Sequence, residues 1–313
     1  MKTALLFPGQ GSQAVGMGKE LAAQFDVARK VFDEVDAALN QKLSALMFEG
    51  PSENLTLTEN AQPAIMATSI AALRVLEQEK GFNVASDASF VAGHSLGEYS
   101  ALCAAGALSL ADTAKLLRLR GQSMQEAVAP GKGAMAALLG VDYDAAVEIA
   151  KEAAGNDVCA VANDNAPGQV VISGDKAAVE RALPLAKDKG AKRAVLLDVS
   201  APFHCPLMNP AADVMEKALA AVAWNSPCVP VVTNMTASAE GDPAKLQALL
   251  VEQVTGMVRW RESIAYLVAQ GVTHALEIGA GKVLSGMNKR MAPDMNTQNV
   301  GVPADFEQLA RAG

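Results

Sequence analysis

The chain has 313 residues, half of them hydrophobic and 19% charged, with a formal net charge of -8. That length allows one large or two unequal domains around a sizeable core, and the acidic balance argues against nucleic acid as a partner, because phosphate binding needs a positive field. No apolar run reaches the length of a membrane span, and residues 1–7 are too short a run before Pro8 for a signal peptide, so the expectation is a soluble cytoplasmic α/β enzyme.

The first five-residue apolar run, Thr3–Phe7, predicts a buried strand. Pro8-Gly9-Gln10-Gly11-Ser12-Gln13 follows as a loop at its C-terminal end, where open α/β sheets place their sites, which makes Gln10 a candidate site residue. Gly9-x-Gly11-x-x-Ala14 superficially fits a dinucleotide fingerprint, but Pro8 and the polar loop do not open directly into the helix that fingerprint requires. Residues 19–39 and 62–80 carry helical periodicity and read as scaffold.

Phe90-Val91-Ala92-Gly93-His94-Ser95-Leu96-Gly97-Glu98-Tyr99 is a short apolar run that breaks into Gly-x-Ser-x-Gly and then into a helix over residues 96–105. This is the pattern of a nucleophile elbow, in which glycines leave room for a tight turn that pushes the serine hydroxyl clear of the backbone. The first amide of the helix, on Leu96, has no intrahelical acceptor and is free to donate to a developing oxyanion. The same pentapeptide also fits a glycine-rich loop with a capping serine, so the chemistry depends on finding a base.

Ser109 to Asp112 resembles a capping box with Asp in place of Glu, starting a helix that runs to about residue 128. On a helical wheel Leu110, Ala114, Leu117 and Met124 share one broad face, with Lys115, Arg118, Gln122 and Glu126 opposite. Arg120 falls inside the apolar face. A guanidinium there needs an anion, supplied either by the protein as an ion pair or by a ligand.

From Pro130-Gly131-Lys132-Gly133 the texture changes to a β-α-β-β-α-β unit, with strands at 134–139, 158–163, 169–173 and 193–199 and helices at 143–154 and 176–189. The turn-rich residues 163–168 join the middle strands as a hairpin, giving the ferredoxin-like split pattern in an inserted subdomain. Beyond it, Ala201-Pro202-Phe203-His204-Cys205-Pro206 is an extended segment hemmed by prolines. A serine nucleophile needs a base, and there are three histidines to choose from. His94 adjoins the serine in a strand-like segment that points neighbouring side chains apart, and His274 lies in a scaffold strand, which leaves His204. The remaining periodicity predicts a helix over 208–223, a strand over 229–233, helices over 243–253 and 263–270, a strand around His274, and a last helix after Gly279-Ala280-Gly281-Lys282, a loop that lacks the spacing of a P-loop. Cys103, Cys159, Cys205 and Cys228 are isolated thiols, without the spacing of a disulfide framework or metal site.

Taken together, residues 7–13, Gly93-His94-Ser95-Leu96-Gly97-Glu98, Arg120, Ala201-Pro202-Phe203-His204 and Glu277-Ile278-Gly279-x-Gly281-Lys282 resemble the malonyl-CoA:acyl carrier protein transacylases of bacterial fatty-acid synthesis. The resemblance implies a hydrolase-like α/β subdomain with a parallel sheet over residues 1–129 and 200–313, and a ferredoxin-like subdomain over 130–199. It implies Ser95 as the acylated nucleophile, His204 as its base, Gln10 with the Leu96 amide as the oxyanion site, and Arg120 as the clamp on the malonyl carboxylate. Gln253 resembles the residue whose carbonyl oxygen orients the histidine in place of a triad acid. Malonyl-CoA and acyl carrier protein are then the partners, with no cofactor, since the CoA thioester is a substrate. Ala280 and Cys205 depart from the common residues, proline and serine, without touching that chemistry. Phe203 resembles malonyl-selective members. A serine hydrolase is the competing enzyme reading, and a non-catalytic acyl-binding module the competing non-enzyme one. For docking an acidic carrier protein, the densest basic run is residues 187–193, which includes Lys189 and Lys192, with Arg259, Arg261, Lys282 and Lys289 as alternatives.

Overall fold

Five consecutive buried side chains in Thr3–Phe7 need cover on both faces and a strand on both edges, and β1 (Thr3–Phe7) has both. The computed structural model describes residues 2–309. β1 pairs in parallel with β2 (Phe90–Gly93) on one side and with the later strand His274–Ile278 on the other.

The next strands to form along the chain belong to a second sheet: β3 (Gly133–Leu139), β4 (Cys159–Ala166), β5 (Gln169–Asp175) and β6 (Arg193–Leu196). They are antiparallel in the order β4-β5-β3-β6. The helices Tyr143–Ala154 and Lys176–Asp188 pack on this sheet through Ile149, Ala153, Val179 and Ala182. β4 runs on to Ala166, so the hairpin turn is only Pro167-Gly168, with Gly168 at φ 69°, rather than the whole of 163–168. β6 stops at Leu196, three residues short of the expected end, where the chain turns toward the cavity described below.

Four strands complete the main sheet: β7 (Val231–Val232), β8 (Ala239–Glu240), β9 (His274–Ile278) and β10 (Asn296–Val300). Its order is β10-β9-β1-β2-β7-β8, parallel except at β8. Because Phe7 is in register with Gly93, and Ala92 with Val232, the loops after β1, β2 and β7 emerge side by side at one edge. One large core lies around the buried Thr58–Lys80 helix and the Leu110–Glu126 helix, and a second gathers Leu6, Trp260, Ile264 and Leu267. Each large apolar side chain so buried contributes about 1.5–3 kcal/mol. β4 of the second sheet is tied to the start of the Trp260–Ala269 helix, which packs on the main sheet, by backbone hydrogen bonds from Val258 N–H to Ala162 O and from Asp164 N–H to Val258 O, backed by the Arg261–Asp164 ion pair at 2.7 Å.

Several boundaries differ from the periodicity. The expected 19–39 helix is two, Lys19–Gln24 and Asp26–Leu39, because Phe25 turns extended and packs its ring edge-on against Phe306. The strand expected over 229–233 narrows to Val231–Val232. After the Val283–Met291 helix, which reads as the last, the chain adds β10 and a further helix, Pro303–Gln308. None of the described helices is long and apolar enough to cross a membrane.

Candidate active site

Ser95 follows β2 on a turn so tight that its φ is 53°, a left-handed conformation unusual for a residue with a side chain. Gly93 and Gly97 make the turn possible: a Cβ on Gly93 would lie 1.9 Å from the Gly97 carbonyl, and one on Gly97 would lie 2.2 Å from Phe7 O. The helix Gly97–Ala104 then begins directly beneath the serine.

His204 has the same unusual backbone, φ 57°, in the proline-flanked segment after β6. Its Nε2 lies 2.7 Å from Ser95 Oγ, while its Nδ1 lies 2.9 Å from Gln253 O and 3.0 Å from Gly256 O. Carbonyl oxygens only accept, so Nδ1 carries the proton and Nε2 is left to accept from the serine hydroxyl. Burial, then the Arg120 guanidinium and His94, push the imidazole down to about 3, so it is neutral at physiological pH and its Nε2 lone pair is free to accept. The two carbonyls are there because the Pro243–Thr255 helix ends beside the histidine, and its last turn leaves backbone oxygens without intrahelical partners.

Gln253 contributes its side chain as well. Its Nε2 donates to Ser95 O at 3.0 Å and to Glu98 Oε2 at 2.8 Å, while its Oε1 accepts from Arg120 Nη2 at 3.0 Å. Asn234, in the loop after β7, accepts the Ser95 N–H on Oδ1 at 2.7 Å and donates from Nδ2 to Gly93 O at 2.7 Å. Its own N–H donates to Glu98 Oε2 at 3.0 Å. Glu98 is itself buried, and burial pushes its carboxyl up to about 7.

Arg120 is 1% exposed and reaches the same place from the Leu110–Glu126 helix. Nη1 donates to Gln62 Oε1 at 2.8 Å, and Nη2 donates to Gln253 Oε1 and, at 3.3 Å, to Ser95 Oγ. Its Nε has no partner, and among the described residues no carboxylate lies within ion-pair distance of the guanidinium. Of the two alternatives the helical wheel leaves open, a protein ion pair is not seen among the described residues; the buried cation is held by the Gln62 and Gln253 amides and faces the Tyr99 ring, 5.6 Å from its centroid.

The Leu96 N–H, immediately after the serine, and the Gln10 N–H, three residues beyond β1, have no acceptor among the described residues. They leave the parallel strands β1 and β2 at equivalent positions, three residues after the paired Phe7 and Gly93. The Gln10 side chain turns to Thr58 Oγ1 at 3.3 Å, which meets Ser200 Oγ at 3.0 Å. Gln10, Gln62, Ser95, Arg120, Phe203 and His204 line a cavity of about 310 Å³ between the two sheets.

The structure thus brings together Ser95, His204, Gln10, Leu96, Arg120 and Gln253. His94 also faces the cavity, but its Nε2 is engaged with Asn165 Oδ1 at 2.8 Å and its ring lies 5.6 Å from that of Trp260. His274 starts β9 in register with Thr3, at the opposite edge of the sheet. Sequence reasoning missed Gln62 and Asn234 and assigned no part to Glu98. Only Glu98 carried a visible signal, as the acid that closes the Gly-His-Ser-Leu-Gly-Glu run. Among the described residues no cluster of three His, Cys, Asp or Glu side chains converges as metal ligands would. In the basic run, Lys189 is engaged by Glu148 and Glu152 at 3.4 and 3.3 Å; Arg259 pairs with Glu262, and Arg261 with Asp164.

A family model described as "Acyl transferase domain" matches residues 4–297. The malonyl CoA-acyl carrier protein transacylase of Bacillus subtilis is 50% identical over 307 residues, covering 98% of this chain and 95% of that protein. The protein of the same name from Escherichia coli is 45% identical over 301 residues, 96% of each. Among solved structures, the acyl-carrier-protein-S-malonyltransferase of Bartonella henselae matches with a TM-score of 0.96 at 56% identity, over 98% of both chains. A malonyl-transacylase in complex with a type II PKS acyl-carrier protein matches with a TM-score of 0.95 at 42% identity, again over 98% of both.

Proposed function

The chain belongs to the acyl transferase domain family, and from that membership we propose how its own residues transfer a malonyl group. It is a malonyl-CoA:acyl carrier protein acyltransferase of fatty-acid synthesis. In the proposed reaction Ser95 Oγ attacks the thioester carbonyl of malonyl-CoA as His204 Nε2 takes the hydroxyl proton. The Gln10 and Leu96 N–H groups receive the oxyanion. The carbon–sulfur bond breaks, the CoA thiolate leaves with the proton from His204, and a malonyl ester remains on Ser95. The phosphopantetheine thiol of the carrier protein then gives its proton to His204 and attacks that ester; collapse returns the proton to Ser95 and the malonyl group leaves on the carrier.

The observation that carries this reading is Arg120: a buried cation that has no carboxylate partner among the described residues and lies 3.3 Å from the attacking oxygen. It fits an acyl group bearing a free carboxylate. The Gln253 and Gly256 carbonyls hold the His204 tautomer, a task that an acid performs in a triad. We further propose that the transfer needs no cofactor, that the protein works in the cytoplasm, and that residues 1–129 with 200–313 and residues 130–199 form two subdomains whose junction is the cavity. Intact-mass measurement after adding malonyl-CoA tests the reading. A persistent malonyl adduct that is absent from Ser95→Ala is expected. Free malonate released without a carrier protein, as fast as the adduct forms, means a hydrolase, and no adduct at all means a binding module.

A further inference from the structure

Three catalytic groups come from three distant parts of the chain, and one residue touches all of them. Gln253 accepts the His204 Nδ1–H hydrogen bond on its backbone oxygen, accepts from Arg120 on Oε1, and donates from Nε2 to the Ser95 carbonyl. A primary amide can be turned end for end with almost no change of shape. Turned over, Gln253 would present N–H groups to the guanidinium and an oxygen to the Ser95 carbonyl, so both contacts would become repulsive.

Among the described residues, the closest acceptor to the Gln253 amide is Glu98 Oε2, which takes the Nε2–H at 2.8 Å. The same oxygen takes the Asn234 backbone N–H at 3.0 Å, and Asn234 holds the Ser95 N–H. Asn234 Oδ1 also lies 3.3 Å from Gln253 Nε2, in a weaker contact of the same sense. Glu98 is 1% exposed on the helix just below the elbow and reaches neither Ser95 Oγ nor the cavity lining.

We propose that Glu98 is a positioning residue for acyl selection: by accepting from the Gln253 amide it sets which end of that amide faces Arg120, and so aims the guanidinium that receives the substrate carboxylate. The inference rests on the reading of Arg120 given above. It requires a hydrogen-bond acceptor at the position of Oε2 and does not require a charge there. A protonated carboxyl, with its proton on the other oxygen, still accepts both bonds, which suits a group whose burial favours the neutral form.

The test compares Glu98→Gln, Glu98→Asp and Glu98→Met in the full chain. Single-turnover acylation of Ser95 by malonyl-CoA and by acetyl-CoA is followed by intact mass. Glu98→Gln keeps an acceptor in place and should leave the malonyl-to-acetyl rate ratio within about threefold of the unsubstituted protein. Glu98→Asp keeps the charge but draws the oxygen back by one methylene, and Glu98→Met removes the acceptor; each should lower the ratio at least about tenfold, because malonyl alone uses the guanidinium. Glu98→Asp carries the test if Glu98→Met does not fold. A ratio that falls in Glu98→Gln but holds in Glu98→Asp makes the charge decisive and overturns the proposal. An unchanged ratio in folded Glu98→Asp and Glu98→Met reduces Glu98 to packing and overturns it as well. If the unsubstituted protein forms no malonyl-Ser95 at all, it is the reading of the active site that fails.

Discussion

Removing Arg120 should separate two substrates that differ by one carboxylate. A guanidinium has five N–H groups; here Gln62, Gln253 and Ser95 take three, leaving one on Nη1 and the one on Nε, which has no partner. Two charge-assisted bonds to a substrate carboxylate are worth about 1.5–3 kcal/mol each, and stripping one member from a desolvated pair costs about 3–5 kcal/mol. At about 1.4 kcal/mol per factor of ten, Arg120→Ala should lower kcat/KM for malonyl-CoA by roughly two to three and a half powers of ten. Acetyl-CoA offers no carboxylate, so its acylation rate should change by less than about tenfold, reflecting only the lost 3.3 Å contact with Ser95 Oγ. Both rates can be read from adduct formation, with circular dichroism as the check on folding. Equal losses for the two acyl groups in a folded variant would refute the reasoning, for Arg120 would then be supporting the serine and not reading the substrate.

Further outcomes follow from the same geometry. Ser95→Ala should form no malonyl adduct; an adduct on another residue with surviving turnover would displace Ser95 as nucleophile. Since the His204 imidazole is held down to about 3, lowering the pH should not remove the base until far below 6.5; kcat/KM for malonyl-CoA should have its acid midpoint below pH 5, and a midpoint near 6.5 would contradict the buried, neutral base. Glu98 has its folded value, about 7, above the ordinary 4.5, so between those pH values the native protein holds a proton that the unfolded chain has lost, and stability drops as pH rises through the window. Glu98→Gln cannot titrate, so its stability relative to the unsubstituted protein should climb by about 3 kcal/mol from pH 4.5 to 7 and then level off; denaturant titrations showing a flat difference would rule this out. Gly93→Ala, whose Cβ would sit 1.9 Å from the Gly97 carbonyl, should cost about 3 kcal/mol or more in the same assay, and an unchanged midpoint would mean the elbow does not depend on that glycine.

The parts of the fold legible in the sequence are those with a local cause. Thr3–Phe7 is buried on every side chain and reads as a strand without help, and the β-α-β-β-α-β order of the insert follows from alternating periods. Ser109 caps its helix by accepting the Asp112 N–H, as the capping pattern suggests. β10 was not legible, because Asn-Thr-Gln-Asn-Val has neither an apolar run nor an alternation; it is a strand because β9 offers it an edge. The split at Phe25 likewise depends on a ring 281 positions later in the chain. At the site, Ser95 and His204 could be found by motif and elimination, since each sits in a segment with its own punctuation. Asn234 and Gln62 could not. They act through single amides brought in by strand order and helix packing, and nothing in Thr233-Asn234-Met235 or Asn60-Ala61-Gln62 distinguishes them from ordinary polar residues.

Two neutral carbonyls behind His204, where a triad has an acid, bear on how long the acyl-enzyme lasts. On the proposed roles, a carboxylate there would steady the positive ring and so strengthen the base; Gln253 O and Gly256 O supply only dipoles. A base that feeble serves only a partner held against it: the Ser95 hydroxyl sits 2.7 Å from Nε2, a passing water is not so held, and a thiol, which ionises near 8.5, asks less of the base. The ester on Ser95 would therefore survive random collisions with solvent and yield to a pantetheine sulfur delivered into the cavity. Patience toward the wrong acceptor would then be written into the backbone of a helix terminus, where no side-chain substitution at Gln253 or Gly256 deletes the oxygen atoms themselves.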